Sequence, residues 1–514
     1  MARSAGVLFA ISSLPSKYGI GCISKEAYDF VDFLKESGQS YWQILPLSAT
    51  IHGEPADSPY KSYSAFAGNP YFIDLDELIG QGLLTKKECD SINWGRNPSK
   101  IDYDALAEHR LPLLRKAYER SHIAENAEYN HFVEENDWWL HDYALFMALK
   151  GFFGHDVPHQ QWPEDIMKRW SYALDYYDRT LYYDIEFQKF MQFYFYKQWW
   201  RLRQYANDRN IKIIGDIPMY VAPDSVDVWA HPELFQLDNN HQPYQVAGAP
   251  PDNFSATGQL WGNPLYRWDA HRYNGYSWWM SRLYQNFRLY DTLRIDHFRA
   301  FDEYFAIPAG SDTAMNGHWE PGPGMDFFNT VNRSLGPRDI LVEDLGLMTD
   351  SVRRLVRQTG FPNIKVLQFA FDPDDIGAAN DYFPHNYGRN CIVYTGTHDN
   401  DTLTGWFKSL SDKEKALARF YCGNFDSPDN RMYLSFTQMA LDCRANTAII
   451  PIQDYLGLGS EARMNTPGES KGNWAWRIKP GKCDEGLKQH ILLGTRISGR
   501  LNWENFDKKG NLKE

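Results

Sequence analysis

The sequence predicts an α/β protein built on a closed (β/α)8 TIM barrel, interrupted by inserted, mainly helical and loop subdomains. Three observations carry that expectation. Eight short, β-rich apolar runs recur along the chain, helical stretches separate most of them, and several runs end in a polar or acidic residue. Short buried strands alternating with helices imply a parallel sheet. Eight such units suggest closure into a barrel, in which chemistry sits at the C-terminal ends of the strands.

Taken in order, the first run is Val7 to Ile11, followed by a helix over Ala27 to Ser37. The second is Tyr41 to Leu45. The interval from about 70 to 205 is too long for one crossover helix and reads as a helical insertion. It finishes in Asp184 to Asn207, where Phe187, Phe190, Met191, Tyr194, Phe195 and Leu202 return at helical spacing. That stripe reads as core packing, with a sugar-stacking platform as the second reading. The third run is Lys212 to Ile217. The interval from about 225 to 288 reads as a loop-rich insertion, and its stretch Val246 to Tyr266, rich in proline and glycine, as a loop or lid carrying Trp261. Thr292 to Asp296 and Ile340 to Glu343 follow, the latter succeeded by a helix over Ser351 to Gln358. Ile364 to Phe369, Cys391 to Thr395 and Thr447 to Ile452 complete the set, within a single catalytic domain over residues 1–514. A continuous apolar run also reads as a buried helix segment, so the alternation with helices matters as much as the count.

Composition narrows the function. Across 514 residues, 66 acidic side chains against 53 basic ones give a formal charge of −13, which repels a phosphate backbone, and no cluster of Lys and Arg offsets it. Nucleic acid is therefore not an expected partner. With 43% apolar residues the chain buries a large core, yet no stretch reaches the roughly 18 apolar residues of a membrane helix. The six cysteines show no CxxC pair or regular spacing, which suggests reduced thiols in a cytoplasm. Arg3 and the run Gly6 to Ile11 make a poor secretion signal and a better first strand.

The clearest chemical feature is that three strand candidates lead into acids. Asp296 lies in LRIDHFR, Glu343 in LVEDLG and Asp399 in YTGTHDND. An acid directly after Val or Ile in a strand is expensive to bury unless it is paired or used. The fourth, fifth and seventh strands of a barrel place all three carboxylates around one mouth. Glycoside chemistry needs two of them, a nucleophile and a proton donor with a raised pKa. Arg294, two residues before Asp296, points to the same strand face and holds Asp296 ionised, as suits a nucleophile. Asp399, with His398 beside it, is placed to stabilise positive charge on a sugar ring or to grip its hydroxyls. Salt bridges at the barrel mouth are the plain structural alternative for each acid taken alone.

Other chemistries find less support. There is no GxGxxG after a strand and no GxxxxGK[ST], and Gly457-Leu458-Gly459 lacks a third glycine. His155 and His159 straddle Pro158, which argues against one metal-binding helix face. Ser12, Ser13 and Ser58 lie in no nucleophile-elbow sequence. No cofactor or metal is expected. The 18 Trp and 32 Tyr suit a carbohydrate partner, whose C–H faces stack on aromatic rings, although aromatics equally fill ordinary cores.

The motifs also resemble a known family, the 4-α-glucanotransferases of the amylomaltase or disproportionating-enzyme type, a retaining family of the α-amylase clan. The resemblance runs along the chain through Ser58-Pro59-Tyr60, SAFAGNPYFIDL at Ser64 to Leu75, GDIPMYV at Gly215 to Val221, GAPPDNFSATGQLWGNPLY, RIDHFR, VEDLG, YTGTHDNDT, RMNTPG at Arg463 to Gly468 and NWAWR at Asn473 to Arg477. It implies Asp296 as nucleophile, Glu343 as general acid and base, and Asp399 as the third, transition-state carboxylate. It implies that Asp216, Arg294 and His398 line the donor sugar. Ser58, Tyr60, Asp252, Gln259, Trp261, Asp344 and Asn465 are further substrate-binding candidates. The partners implied are α-1,4-glucans, with the protein a monomer or homodimer.

Transfer instead of hydrolysis requires a positioned acceptor and a covalent intermediate kept from water. The 246–266 loop, with Trp261 stacking near the acceptor, is assigned that task. An α-glucan hydrolase with the same carboxylates is the near alternative, and a non-catalytic glucan-binding scaffold the more distant one.

Overall fold

Each of the eight apolar runs overlaps a strand of one closed parallel barrel. The computed structural model describes residues 3–53, 57–251, 255–372 and 380–513. Its strands are β1 (Ser4–Leu8), β2 (Tyr41–Gln43), β3 (Lys212–Ile217), β4 (Gln245–Ala249), β5 (Gln259–Pro264), β6 (Thr292–Ile295), β7 (Glu303–Pro308), β8 (His318–Pro321), β9 (Ile340–Val342), β10 (Asn363–Val366), β11 (Cys391–Tyr394) and β12 (Thr447–Pro451). The barrel closes in the order β1-β12-β11-β10-β9-β6-β3-β2, confirming the (β/α)8 expectation. Its strands are short because the chain leaves the ladder at the mouth. Leu367–Ala370, for example, already winds into a 3-10 turn inside the sixth predicted run.

The strands read as continuous apolar runs because helices cover them from outside while the barrel interior fills from within. The helix Lys25–Glu36 buries Ala27, Phe30, Val31 and Leu34, spaced to form one stripe. Asp350–Thr359 starts at Thr349, whose side chain accepts from the Val352 N–H, and stops at Gly360, which takes the left-handed conformation at φ +70°.

The interval between β2 and β3 holds the long helices Tyr103–Ser121, Ala127–Phe153 and Tyr182–Asn207. The aromatic stripe of the last of these is core, since Phe187, Phe190, Met191, Tyr194, Phe195 and Leu202 are all buried. Phe132 packs on Phe193 and Tyr196 at ring-centroid distances of 5.7 Å each, which binds that helix to Ala127–Phe153.

One expectation is corrected. Residues 246–266 are not simply a loop: β4 and β5 pair as an antiparallel hairpin inside a four-stranded sheet ordered β5-β4-β7-β8. Glycine here serves close approach as well as turning. A Cβ on Gly248 would stand 2.2 Å from the Gln259 carbonyl oxygen across the ladder. Val246, Phe305, Ile307 and Ala314 form the small core under this sheet. Among the described residues, no helix is long and apolar enough to cross a membrane.

Candidate active site

The barrel register brings the charged residues together. Asp216 on β3 stands directly opposite Arg294 on β6. Asp296 follows β6 immediately, and Glu343 follows β9, its neighbour in the barrel. Arg294 is buried, and its Nη1 lies 2.8 and 2.7 Å from the two Asp216 oxygens and 2.9 Å from Oδ1 of Asp296. Its Nη2 is 4.0 Å from Oε2 of Glu343. One guanidinium thus serves three carboxylates unequally.

Glu343 is held differently. Its Oε2 accepts from the His297 N–H at 2.7 Å and its Oε1 from the Leu345 N–H at 3.2 Å. The His297 bond depends on a left-handed backbone at φ +50°, a strained choice for a non-glycine residue. Burial raises the carboxyl pKa of both Asp296 and Glu343, and neighbouring acids add to this, while Arg294 opposes it at both. Two acids in one cleft titrate as a pair and ionise in sequence. Arg294 is more than an ångström nearer Asp296, whereas two backbone N–H groups steady the Glu343 carboxyl, so different groups offset burial at the two acids.

Asp399 completes the cleft from beyond β11. Its Oδ1 accepts from Asn465 Nδ2 at 2.6 Å, and its Oδ2 lies 3.4 Å from His398 Nε2. His398 is buried, which lowers its pKa, and stacks on Tyr60 with ring centroids 5.0 Å apart. The Tyr60 hydroxyl donates to Asp216 Oδ2 at 2.6 Å, linking the Asp399 side of the site to the Arg294 side. Ser58 Oγ accepts from the Tyr60 N–H at 3.2 Å and so shapes the Tyr60 turn. The segment that continues from Tyr60 is clamped to the helix Tyr182–Asn207: Gln192 bonds both the N–H and the C=O of Gly68, at 2.8 and 2.9 Å. A Cβ on Gly68 would meet the Phe195 ring at 2.0 Å, so no larger residue fits that clamp.

Trp261 on β5 is 39% exposed. It meets the His297 ring edge-on at 4.8 Å, and its indole N–H donates to Gln259 at 3.1 Å. Asp344 departs from the expected binding set. Its two oxygens accept from Asn363 Nδ2 at 2.7 Å and the Ile364 N–H at 3.2 Å, so its carboxylate is committed to β10. The alternation of an extended chain explains this, because neighbours Glu343 and Asp344 point to opposite sides. Asp252 lies outside the described residues.

The structure adds residues that sequence reasoning passed over. His297 supplies the backbone donor to Glu343, and its own buried Nε2 has no hydrogen-bond partner among the described residues. Burial holds its ring neutral, lowering the pKa to about 3. Arg463 donates from Nη2 to the Asp399 carbonyl at 2.7 Å. Trp474 lies 5.6 Å from the Tyr60 ring and 5.8 Å from His398. All three belong to motifs that the sequence displays, but nothing local distinguished them from packing residues.

Three acids at the mouth of a (β/α)8 barrel, two of them sharing an arginine, define a barrel of the two-carboxylate class that works on glycosidic bonds. Comparison with known proteins makes this particular. The chain belongs to the 4-alpha-glucanotransferase family, whose pattern it matches over residues 9–483. It is 45% identical over 494 residues to the 4-alpha-glucanotransferase of Clostridium butyricum, covering 95% of this chain and 99% of that one. It is 44% identical over 490 residues to that of Thermus thermophilus, covering 93% and 95%. The structure resembles an amylomaltase from Streptococcus agalactiae in complex with acarbose, with a TM-score of 0.93, 41% identity and coverage of 97% and 100%. A Corynebacterium glutamicum amylomaltase, at 18% identity and TM-score 0.74, shares the fold over 97% of this chain and 75% of its own.

Proposed function

We propose that the protein disproportionates maltodextrins, moving a segment of one α-1,4-glucan onto the 4-hydroxyl of another glucan or of glucose, with Asp296, Glu343 and Asp399 as its catalytic carboxylates. The observation that carries the assignment is the unequal reach of Arg294, 2.9 Å to Asp296 and 4.0 Å to Glu343. It favours an ionised Asp296 beside a protonated Glu343.

The chemistry then runs in two displacements. Glu343 protonates the glycosidic oxygen while Asp296 attacks the anomeric carbon, giving a β-linked glucosyl-enzyme and releasing the reducing-end fragment. Glu343, now ionised, takes the proton from the acceptor 4-hydroxyl as that oxygen displaces Asp296. Two inversions leave the α configuration. Asp399, oriented by Asn465 and His398, faces the positive charge that develops on the ring. Tyr60, Asp216, Arg294 and His398 form the donor-side wall, and Gln259 and Trp261 extend the site towards the acceptor. A cytoplasmic location agrees with six free thiols.

The test is incubation with maltotriose alone, resolving products over time and counting reducing ends. Glucose plus longer maltodextrins at a constant number of ends supports transfer. Rising ends without longer products identify a hydrolase instead.

A further inference from the structure

The segment that carries His398 and Asp399 leaves β11 at Thr395 and enters the helix Leu403–Ser409 at Leu403, with no regular structure between. Beside it lies a cavity of about 30 Å³, lined by Thr397, His398, Asn400 and Thr402 of the segment and by Leu8, Leu45 and Pro451 at the ends of β1, β2 and β12. That space admits a water or two. Close packing therefore does not fix the segment on that side, and polar contacts must do so.

One side chain holds both of its ends. Asp454, buried just past β12, accepts from the Thr395 hydroxyl at 2.6 Å through Oδ2 and from the Leu403 N–H at 2.7 Å through Oδ1. The residues that follow Asp454 hold the middle. Ser460 donates to Asp401 Oδ2 at 2.6 Å, and Arg463 donates to the Asp399 carbonyl. From the other side Gln368 Nε2 donates to the Asp401 carbonyl at 2.8 Å.

We propose that Asp454 is a positioning residue for the transfer reaction: it staples the two ends of segment 395–403 and thereby fixes where Asp399 and His398 stand in the cleft. This rests on the role given to Asp399 above. The staple survives either protonation state of Asp454. An ionised carboxylate accepts both bonds, whereas a neutral one donates to the Thr395 oxygen and still accepts from Leu403. Asp401 is the charged group facing it from the segment, and His398 and Arg463 complete the titratable lining of the cavity. An amide reproduces the neutral pattern, with Nδ2 donating and Oδ1 accepting, and a methyl group reproduces neither bond.

The experiment compares Asp454→Asn and Asp454→Ala in maltotriose disproportionation, with kcat expressed per binding-competent site counted by calorimetric titration with maltoheptaose. Displacement of a catalytic group by about 1 Å costs on the order of 10²-fold. Asp454→Ala is therefore expected to lower kcat per site by at least about 30-fold with KM within about threefold, and Asp454→Asn to stay within about threefold of the parent. A kcat per site for Asp454→Ala within twofold of the parent, or an equal loss in both variants, overturns the proposal. If Asp454→Ala does not fold, Thr395→Val, which removes one hydroxyl, carries the test: a loss of threefold or more supports the staple, and the parental value overturns it. A parent that leaves maltotriose unchanged would instead defeat the functional reading itself, a separate and recognisable outcome.

Discussion

Arg294 and Asp216 face each other across β6 and β3, and both oxygens of the aspartate contact a single guanidinium nitrogen at 2.8 and 2.7 Å. Neither side chain is more than 4% exposed, so the pair is a buried ion pair. Asp216 thereby fixes the guanidinium that also contacts Asp296 at 2.9 Å.

Removing Asp216 takes away two charge-assisted contacts of a buried guanidinium and leaves Asp296, at 2.9 Å, as its close remaining partner. Asp216→Ala is expected to lose about 1–3 kcal/mol of stability. Urea unfolding at unchanged slope, with a lower midpoint, measures the loss. A stability equal to that of the parent would show that Asp296 alone satisfies Arg294.

Asp296→Asn keeps the shape of the nucleophile and removes its charge. Turnover should fall by at least about 10³-fold while maltoheptaose still binds by calorimetry. Substantial residual transfer would move the nucleophile elsewhere.

Trp261 reaches from β5 to the His297 ring beside the catalytic pair. Its replacement by alanine opens the acceptor side to water, so the ratio of hydrolysis to transfer should rise several-fold, read as reducing ends formed per transfer product. An unchanged ratio in a folded variant would remove the hairpin from acceptor selection.

The pH profile follows from the raised carboxyls. In the proposed roles Asp296 acts ionised and Glu343 protonated, so kcat/KM is expected to fall on the acid side as Asp296 takes up a proton and on the alkaline side as Glu343 loses one. Because burial raises both, the two limbs lie above the positions that exposed carboxyls would give. With α-glucosyl fluoride, whose leaving group needs no proton, Glu343→Gln should retain the first displacement and lose the alkaline limb. A persistent alkaline limb would assign it to another group.

Asp454 supplies a stability prediction of definite sign. Burial pushes its carboxyl up to about 7, so the folded state prefers the neutral form. An acid raised by folding contributes stability that is fully present below its unfolded pKa and lost as pH rises through the folded one. Asp454→Asn, permanently neutral, should match the parent near pH 4 and exceed it by a few kcal/mol above about pH 7. Parallel melting curves across that range would rule out a strained ionised Asp454.

The barrel was legible because most of its strands are buried on both faces, and such strands read as nearly continuous apolar runs. Ile340–Val342 and Cys391–Tyr394 are buried at every position. The antiparallel sheet was not, because QVAGA and QLWGNP carry the glycine and proline of loops and only part of each segment is covered. Phe305 and Ile307 alternate on β7, a signal present in the sequence but set apart from its partner strand β4 by β6. In the site, acids at strand ends were readable from position alone. The commitment of Asp344 to β10 and the hold of Asp454 on Thr395 and Leu403 depend on contacts between separate barrel units, which no local pattern encodes.

The sheet β5-β4-β7-β8 draws two of its strands from before β6 and two from after it. The wall carrying Trp261 is consequently not a portable module. A chimera that imports only residues 245–264 from a relative would present β7 with a foreign or missing neighbour, and an unpaired strand edge invites association between chains. An exchange of the hairpin between relatives keeps the sheet paired only if it carries 303–321 along, so the two stretches on either side of Asp296 form one structural unit.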